Sequence, residues 1–198
     1  MGIQDFGTPL RPENAIPYIN QKGLVDRNNN PKDAFYVFKS YWNDTTPFAY
    51  IESNTWTERQ GPKGLKRAIS VYSNCPEVEL FLNGKSMGTK KRNTKSFPAA
   101  GLNWNIPFTD GENLLEAVGK ISSGNEVRDN LKVNYRFTKN GTAKSLALEY
   151  TQLENGNYLV TATARDKNGL RVLDFEERVY FQCLSGGNTH KAMGTPTG

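Results

Sequence analysis

Hydrophobic residues recur at every second position over most of the chain from residue 47 onward, and this period constrains the fold more than any other feature. Val78, Leu80 and Leu82 alternate with residues of the opposite face, and Asn83-Gly84 follows them at once. Side chains alternate between the two faces of a strand, so such a run is typical of a strand buried on one side. An Asn-Gly pair directly after it predicts a β-hairpin, with residues 85–88 as the partner strand.

The same pattern recurs at short intervals along the next part of the chain. Further alternating runs cover residues 69–71, 104–108, 113–118 and 133–137, with an Asp110-Gly111 turn among them. About seven short strands, with turns every eight to twelve residues, are the pattern of an immunoglobulin-like β-sandwich. We predict that this sandwich occupies residues 46–138.

A second β unit follows a polar, turn-prone boundary at residues 139–142. Beyond it, alternating runs cover residues 146–150, 158–164 and 179–183. About four or five strands are too few for a complete sandwich of this type. The sequence therefore predicts a partial second immunoglobulin-like domain over residues 143–198.

One amphipathic helix precedes the strands. Asn30 is a candidate N-cap, with Pro31 and Asp33 in the first turn, where proline and an acidic residue are both favourable. The apolar positions that follow form a wide face: Ala34, Val37, Phe38 and Tyr41 at helical spacing, with Phe35 and Trp42 beside them. The rest of residues 1–45 is loop-like and offers this helix of about twelve residues no partner.

These patterns together define the predicted fold class. It is mostly β: an immunoglobulin-like β-sandwich preceded by one α-helix and followed by a second, incomplete β-sandwich. The 198 residues suffice for one large domain or two small ones.

The composition indicates a soluble globular chain with no membrane segment. Hydrophobic residues make up 36% of the sequence, and no apolar run approaches the ~20 residues that span a bilayer. The first five residues lack the basic start and the apolar stretch of a signal peptide, although a processed or truncated start stays open.

The formal net charge is +5, which raises the question of a nucleic acid or an acidic polysaccharide as partner. The densest basic run, at residues 85–95, directly follows the Asn-Gly turn, and acidic residues are scattered through the rest. Lysines on a solvated hairpin edge discourage pairing with other strands. We therefore interpret the run as such an edge and expect no nucleic acid partner.

The two cysteines, Cys75 and Cys183, lie far apart in the sequence and do not have the spacing of metal ligands. Two free buried thiols are the expected state, and they do not decide the redox compartment.

The order of these pieces resembles a known family. The runs "DFGTPLRPENAIPYINQKGLVDRNNNPKDAFYVFKSYW", "VYSNCPEVELFLNGKSMGTKKR", "FPAAGLNWNIPF" and "VTATARDKNG" are similar, in this order, to the C-terminal region of glycoside hydrolase family 2, the β-galactosidase and β-glucuronidase group. The resemblance implies that residues 1–45 are the end of a catalytic (β/α)₈ barrel, namely a loop and its last helix. It also implies that the two β units are accessory domains.

The resemblance further implies that the parent enzyme is a retaining glycosidase that uses two glutamates. No match to the motifs that carry these glutamates occurs here, so we assign the role neither to Glu13 nor to Glu52 and expect this chain to be non-catalytic. Among substrates of the parent, β-galactosides are our first expectation and β-glucuronides the second. We expect no cofactor and no metal.

One element of the parent's sugar site is implied by the resemblance. Asn20 and Lys22, in "NQKG", are similar to the Asn-x-Lys motif with which β-glucuronidases of the family bind the sugar carboxylate. An ammonium group beside an amide donor suits that task. The alternative is that both residues only position the last strand of the barrel.

Trp56 is a further candidate, because it lies in the polar, irregular stretch "NTWTERQG". An exposed indole suits stacking on a sugar ring, which would make the chain a freestanding carbohydrate-binding module; packing against the absent barrel is the alternative.

Three weaker signals favour structural roles. Asp26, Asn28 and Asn30 have the spacing that opens a calcium loop, but the later positions of that loop do not match, so we predict a polar turn. Asp166 and Asn168 also predict a turn. His190 has no catalytic partner at a suitable spacing.

The expected partners follow from the same resemblance. They are the catalytic barrel of the parent chain and a carbohydrate. The helix aromatics Phe35, Phe38 and Trp42 are expected either to fold back onto the first sandwich or to form a homodimer interface. Members of the family with such accessory domains imply a periplasmic or extracellular location.

Overall fold

The alternating runs form strands, as predicted from their period of two. The computed structural model describes residues 2–9, 18–121, 124–152 and 156–182. The strands are β1 (Phe6–Gly7), β2 (Ile19–Asn20), β3 (Ala49–Ile51), β4 (Glu58–Gln60), β5 (Lys66–Ser73), β6 (Glu77–Leu82), β7 (Lys85–Lys91), β8 (Asn103–Pro107), β9 (Gly111–Lys120), β10 (Glu126–Arg136), β11 (Ser145–Gln152) and β12 (Tyr158–Arg165). The described residues contain one helix, α1 (Asp33–Trp42). The predicted fold class is confirmed.

The chain divides into two compact units. The first takes in Met1–Asp5 and Lys22–Lys139, and the second takes in Phe6–Gln21 and Asn140–Gly198. This division groups residues into compact units and does not test the predicted domain boundaries. Those boundaries remain predictions.

The first unit is a β-sandwich. One sheet has five strands in the order β4-β10-β9-β6-β7, and the other has three in the order β3-β5-β8. Every strand pair is antiparallel except β4 with β10. Inward residues of both sheets form one buried core, which includes Ile69, Val71, Trp104, Ile106, Val78, Leu80, Leu115, Val133 and Tyr135. The alternation seen in the sequence is therefore the alternation between core and solvent.

The predicted hairpin joins β6 to β7. Asn83 and Gly84 have φ angles of 52° and 76°, the left-handed conformation that a tight hairpin turn requires at both positions. Strand β7 is the edge strand of the five-stranded sheet, and its lysines are exposed. This placement agrees with the interpretation of the basic run as a solvated hairpin edge.

The start of the helix differs from the prediction. The N-cap is Lys32, not Asn30. Both the backbone N–H and the side-chain amide of Asn30 donate to the Asp26 carboxylate at 2.8 Å. Pro31 pairs in a bridge with Val25, which keeps the chain extended at that point. Asn30 therefore stabilises the preceding turn. The helix begins at Asp33, two residues later than predicted from the preference of proline for the first helical position.

The buried face of the helix is also narrower than predicted. Val37 is buried against Tyr50, Tyr72 and Ala99, whereas Ala34 is exposed. The helix thus packs on the first sandwich through Val37, but Phe35, Phe38 and Trp42, which were expected either to fold back or to form a homodimer interface, are not part of this buried cluster. Trp42 stays 72% exposed.

The Asp33 carboxylate fastens the first turn of the helix to the sandwich. It accepts a hydrogen bond from the Tyr50 hydroxyl at 2.6 Å and another from the backbone N–H of Ser53 at 2.8 Å. The Tyr36 ring stacks on Tyr50 with the ring centres 3.6 Å apart. At the other end of the helix, the Arg92 guanidinium donates to the Ser40 carbonyl. Both ends of the helix are therefore tied to the sandwich.

The second unit contains the antiparallel pair β11–β12, in which Leu148 lies opposite Ala162 and Tyr150 opposite Val160. The predicted strands at 146–150 and 158–164 are confirmed. Most of their large apolar side chains are exposed, with Leu148 at 61% and Tyr150 at 76%, whereas Ala164 near the end of β12 is buried. A third predicted strand is wrong, because residues 179–182 are not in a strand. Its last residue, Cys183, lies outside the described residues.

Cys75 is buried and carries a free thiol, as predicted. In the described part of the chain, no helix is long and apolar enough to cross a membrane.

Two tyrosines at the helix contact give the first unit a pH-dependent stability. Burial, and then the hydrogen bond to Asp33, raises the pKa of Tyr50 well above its ordinary value of 10.0. Burial, and then the charge of Glu52, does the same for Tyr72. The folded state holds these protons more tightly than the unfolded chain does. Their contribution to stability is therefore complete below pH 10 and is lost as the pH rises above that value.

We expect the free energy of unfolding, measured by urea denaturation, to fall as the pH rises from about 10 to about 12. The fall should be smaller in Tyr50→Phe, which cannot ionise there. Tyr180→Phe, at a side chain that is 85% exposed, is the matched control and should keep the wild-type fall. An equal fall in wild type and Tyr50→Phe would contradict the assignment.

Candidate functional site

The structure places Asn20 and Lys22 in different compact units. Asn20 is the last residue of β2, is half-buried, and pairs with Phe6 of β1. Lys22 begins the long segment of the first unit and is exposed. The two residues thus belong to separate compact units, and their shared role in sugar binding remains a prediction.

The backbone next to Lys22 is tightly held. The N–H of Gly23 donates to the Asp5 carboxylate at 2.9 Å. A Cβ atom on Gly23 would lie 2.3 Å from the backbone nitrogen of Asp5, so no other residue fits here without displacing the chain. The Lys32 ammonium forms an ion pair with the same carboxylate at 2.6 Å. Asp5 itself is only 6% exposed.

Trp56 lies on a turn of the first unit, between β3 and β4. Its backbone N–H donates to the Ser53 carbonyl at 3.0 Å, and Ser53 has a φ of 57°. The side chain of Trp56 is 49% exposed. The structure thus brings one large aromatic surface to the solvent on a fixed turn, and its role as a sugar platform remains a prediction.

A buried arginine fixes this turn. Arg59, 7% exposed, donates from Nε to the Trp56 carbonyl at 2.8 Å and from Nη2 to the Ser53 carbonyl at 3.3 Å. Its guanidinium carbon lies 5.1 Å from the centre of the Trp56 ring, a cation–π distance. Burial lowers the pKa of Arg59 below its ordinary value.

This arrangement is suited to binding rather than to acid–base chemistry. Of the acids near the turn, Glu52 accepts hydrogen bonds from the Ser70 backbone N–H at 2.8 Å and from the Tyr72 hydroxyl at 3.2 Å. Asp33 is engaged by Tyr50 and Ser53. These carboxylates hold the fold together, whereas the half-exposed indole beside a fixed cation offers a flat apolar face to a ligand.

The two turn interpretations are supported by the contacts. The Asp26 carboxylate accepts from the backbone N–H groups of Asn28 and Asn30, and the hydrogen bond from the Asn30 side chain is the main cause that lowers the pKa of Asp26. Asp166 accepts from the backbone N–H groups of Asn168 and Leu170. Both side chains thus form Asx-type turns.

Among the residues that the structure describes, no group of three or more His, Cys, Asp or Glu side chains could hold a metal ion. Glu13 and His190 lie outside the described ranges.

Sequence reasoning missed Asp5, Lys32 and Arg59. The only local signal for Arg59 is its position three residues after Trp56, which is a weak one. Asp5 and Lys32 are 27 positions apart, so no sequence period connects them.

Several known proteins are similar to this chain. The family model described as a domain of unknown function (DUF4982) matches residues 64–128, which lie within the sandwich. A protein of Formosa agariphila that is provisionally named a β-glucuronidase is 73% identical over 196 residues, which cover 99% of this chain and 24% of that protein. A β-glucuronidase of Bacteroides fragilis is 39% identical over 114 residues, covering 56% of this chain and 15% of that one.

Solved structures agree with these relatives. β-Glucuronidase 3 of Bacteroides uniformis has a TM-score of 0.75 and 45% identity, over 87% of this chain and 22% of that one. Among the curated relatives, a β-galactosidase of Bacteroides ovatus is also similar, at 30% identity over 107 residues, which cover 53% of this chain and 12% of that protein. The homologues are therefore β-glucuronidases and a β-galactosidase, and the chain spans less than a quarter of the length of each relative described here.

The role of Arg59 in holding Trp56 is open to a direct test. Arg59→Met leaves the carbonyls of Ser53 and Trp56 without their charged donor, so we expect the free energy of unfolding to fall by about 2 kcal/mol. Hydrogen exchange of the Trp56 backbone N–H should accelerate. Arg128→Met is the control, because the Arg128 side chain is 58% exposed, and it should change neither quantity. An unchanged Trp56 exchange rate in Arg59→Met would show that the turn does not need the arginine.

Proposed function

We propose that this chain is a non-catalytic part of a family 2 glycoside hydrolase, and that the whole enzyme cleaves β-glucuronides. The observation that carries the proposal is the 73% identity, over 99% of the chain, to a protein provisionally named a β-glucuronidase. The expectation that put β-galactosides first has less support, since most of the similar proteins bear the name β-glucuronidase.

The part that we assign to the chain is mechanical. The first unit has a large core, and its helix is tied to the sandwich at both ends by Asp33 and Arg92. The outer face of that helix carries Trp42, 72% exposed, with the Phe38 ring 4.7 Å from it. We propose that this aromatic face packs against the catalytic barrel of the same enzyme. The sandwich would then stabilise the barrel through this contact. A homodimer through the same face is the alternative.

Lys22 provides the proposed link to the substrate. The residue is exposed, and a group that receives a sugar carboxylate must be accessible to the substrate. Asn20 would supply an amide donor beside it. We propose that the enzyme acts outside the cytoplasm, in the periplasm or beyond, and cell fractionation with an antibody against this chain tests that location.

Assays of hydrolysis test the proposal. The purified 198-residue chain should release no 4-nitrophenol from the β-glucuronide, whereas the whole enzyme that contains it should do so. In the whole enzyme, Lys22→Met should raise the KM for the glucuronide about 10-fold or more, because a charged hydrogen bond to the carboxylate is lost. Lys63→Met, at an exposed lysine, is the control and should keep the wild-type KM. A whole enzyme that prefers the β-galactoside would contradict the proposed substrate.

A second candidate function is carbohydrate binding through Trp56, favoured by its exposure and by its fixed turn. If the sandwich is a binding module, calorimetric titration of the chain with uronate-containing oligosaccharides gives a binding signal, and Trp56→Ala abolishes it. Trp42→Ala, at a tryptophan that is also exposed, is the matched control and keeps the signal. Absence of heat with every oligosaccharide in wild type excludes this function.

A further inference from the structure

Asp5 is a buried carboxylate that contacts both Gly23, the residue that follows Lys22, and the Lys32 ammonium. Only 4% of its side chain is exposed. One carboxylate oxygen lies 2.6 Å and the other 2.8 Å from the Lys32 ammonium, and the first also accepts the Gly23 N–H at 2.9 Å. Burial of a carboxylate is costly unless the group is paired with a cation and hydrogen-bonded. Asp5 meets both conditions, through Lys32 and Gly23.

Backbone hydrogen bonds hold the same segment from two sides. The N–H of Asp5 donates to the Val25 carbonyl, and the N–H of Val25 donates to the Ile3 carbonyl, both at 3.0 Å. On the other side, the N–H of Lys32 donates to the Leu24 carbonyl at 3.0 Å. Residues 23–25 therefore lie between the residues around Asp5 and those around Lys32, and the ion pair joins the two flanks.

The hydrogen bond to Gly23 has a direct effect on Lys22. The peptide group between them is planar, so the Gly23 N–H fixes the plane that also contains the carbonyl and Cα of Lys22. Gly23 has no side chain and contacts the Asp5 backbone closely, which leaves this plane little room to shift. Asp5 thus restricts the orientation of the peptide group that carries the Lys22 Cα.

Lys32 connects this arrangement to the sandwich. It is the N-cap of α1, and the next residue, Asp33, bonds Tyr50 and Ser53. The position of Lys22 is therefore tied, through Asp5, Lys32 and the first turn of the helix, to the sandwich core.

We propose that Asp5 is a positioning residue that places the Lys22 ammonium to receive the carboxylate of a glucuronide. This inference rests on the proposed function and adds to it a residue that sets sugar selectivity without touching the sugar. An error of about 1 Å in the placement of a binding group is enough to cost a large factor in rate, so a loosened Lys22 should lower the preference for the charged sugar.

The test compares two substrates that differ only at C6. In the whole enzyme, Asp5→Asn places an amide donor against the Lys32 ammonium and breaks the ion pair. We expect the ratio of kcat/KM for 4-nitrophenyl β-glucuronide to that for 4-nitrophenyl β-glucoside to fall at least about 10-fold. Lys32→Arg keeps the cation and should keep the ratio. Asp44→Asn, at an exposed aspartate of the same unit, is the matched control.

The measured activities distinguish a failure of the proposed function from a failure of the positioning role of Asp5. A wild-type enzyme that hydrolyses neither substrate overturns the proposed function. A glucuronidase in which Asp5→Asn lowers both activities equally, or leaves the ratio unchanged, overturns the positioning role alone, since a purely structural role would not alter selectivity. If Asp5→Asn does not fold, Lys32→Gln carries the same expectation at a side chain that is 31% exposed.

Hydrogen exchange in the 198-residue chain supplies a readout that does not depend on catalysis. The Gly23 N–H should exchange at least about 10-fold faster in Asp5→Asn than in wild type, while the N–H of Leu80 in the sandwich core keeps its rate. An unchanged rate at Gly23 overturns the inference.

Discussion

The carboxylate of Asp33 is the contact on which the organisation of the first unit depends. It accepts the Tyr50 hydroxyl and the Ser53 N–H, so one side chain fixes the helix relative to the strand β3 and to the turn that follows it. Hydrogen bonds to a charged acceptor are the stronger ones, and these two are short. Ser53 also accepts from Arg59 through its carbonyl, and the residue before Asp33 is Lys32, the partner of Asp5. Trp56 and Asp5 are thus each connected to this carboxylate through one intermediate residue, Ser53 and Lys32 respectively.

The sandwich core gives these polar contacts a rigid support. Its inward residues come from β3, which precedes the turn of Trp56, and from β5, β6, β8, β9 and β10, and several are fully buried. Close-packed interiors do not deform continuously, so groups attached to them keep their positions. Tyr50 illustrates the link: its ring belongs to the smaller cluster with Val37 and Tyr72, and its hydroxyl reaches Asp33.

The sequence predicted the parts of this structure that depend on local periods. Val78, Leu80 and Leu82 occupy alternate positions in the sequence, and all three are buried on the core side of β6. Asn83 and Gly84 form the tight turn that these two residue types favour. The helix start was misplaced because Asn30 donates from its backbone N–H and its side-chain amide to Asp26, which holds it in the preceding turn. Asp5, Lys32 and Arg59 act through contacts with segments or carbonyls that no local period identifies. For the same reason the burial of β11 and β12 could not be predicted: alternation shows which residues share a face, not what covers that face.

The two surfaces of the helix show how the chain divides its apolar residues. Tyr36 and Val37 turn inward and pack on the sandwich, where Tyr36 stacks on Tyr50. Phe38 and Trp42 turn the other way and pack on each other. A helix that served the sandwich alone would need only the first face, because exposed aromatic surface gains nothing in water. The exposed second face is the one that we propose packs against the catalytic barrel.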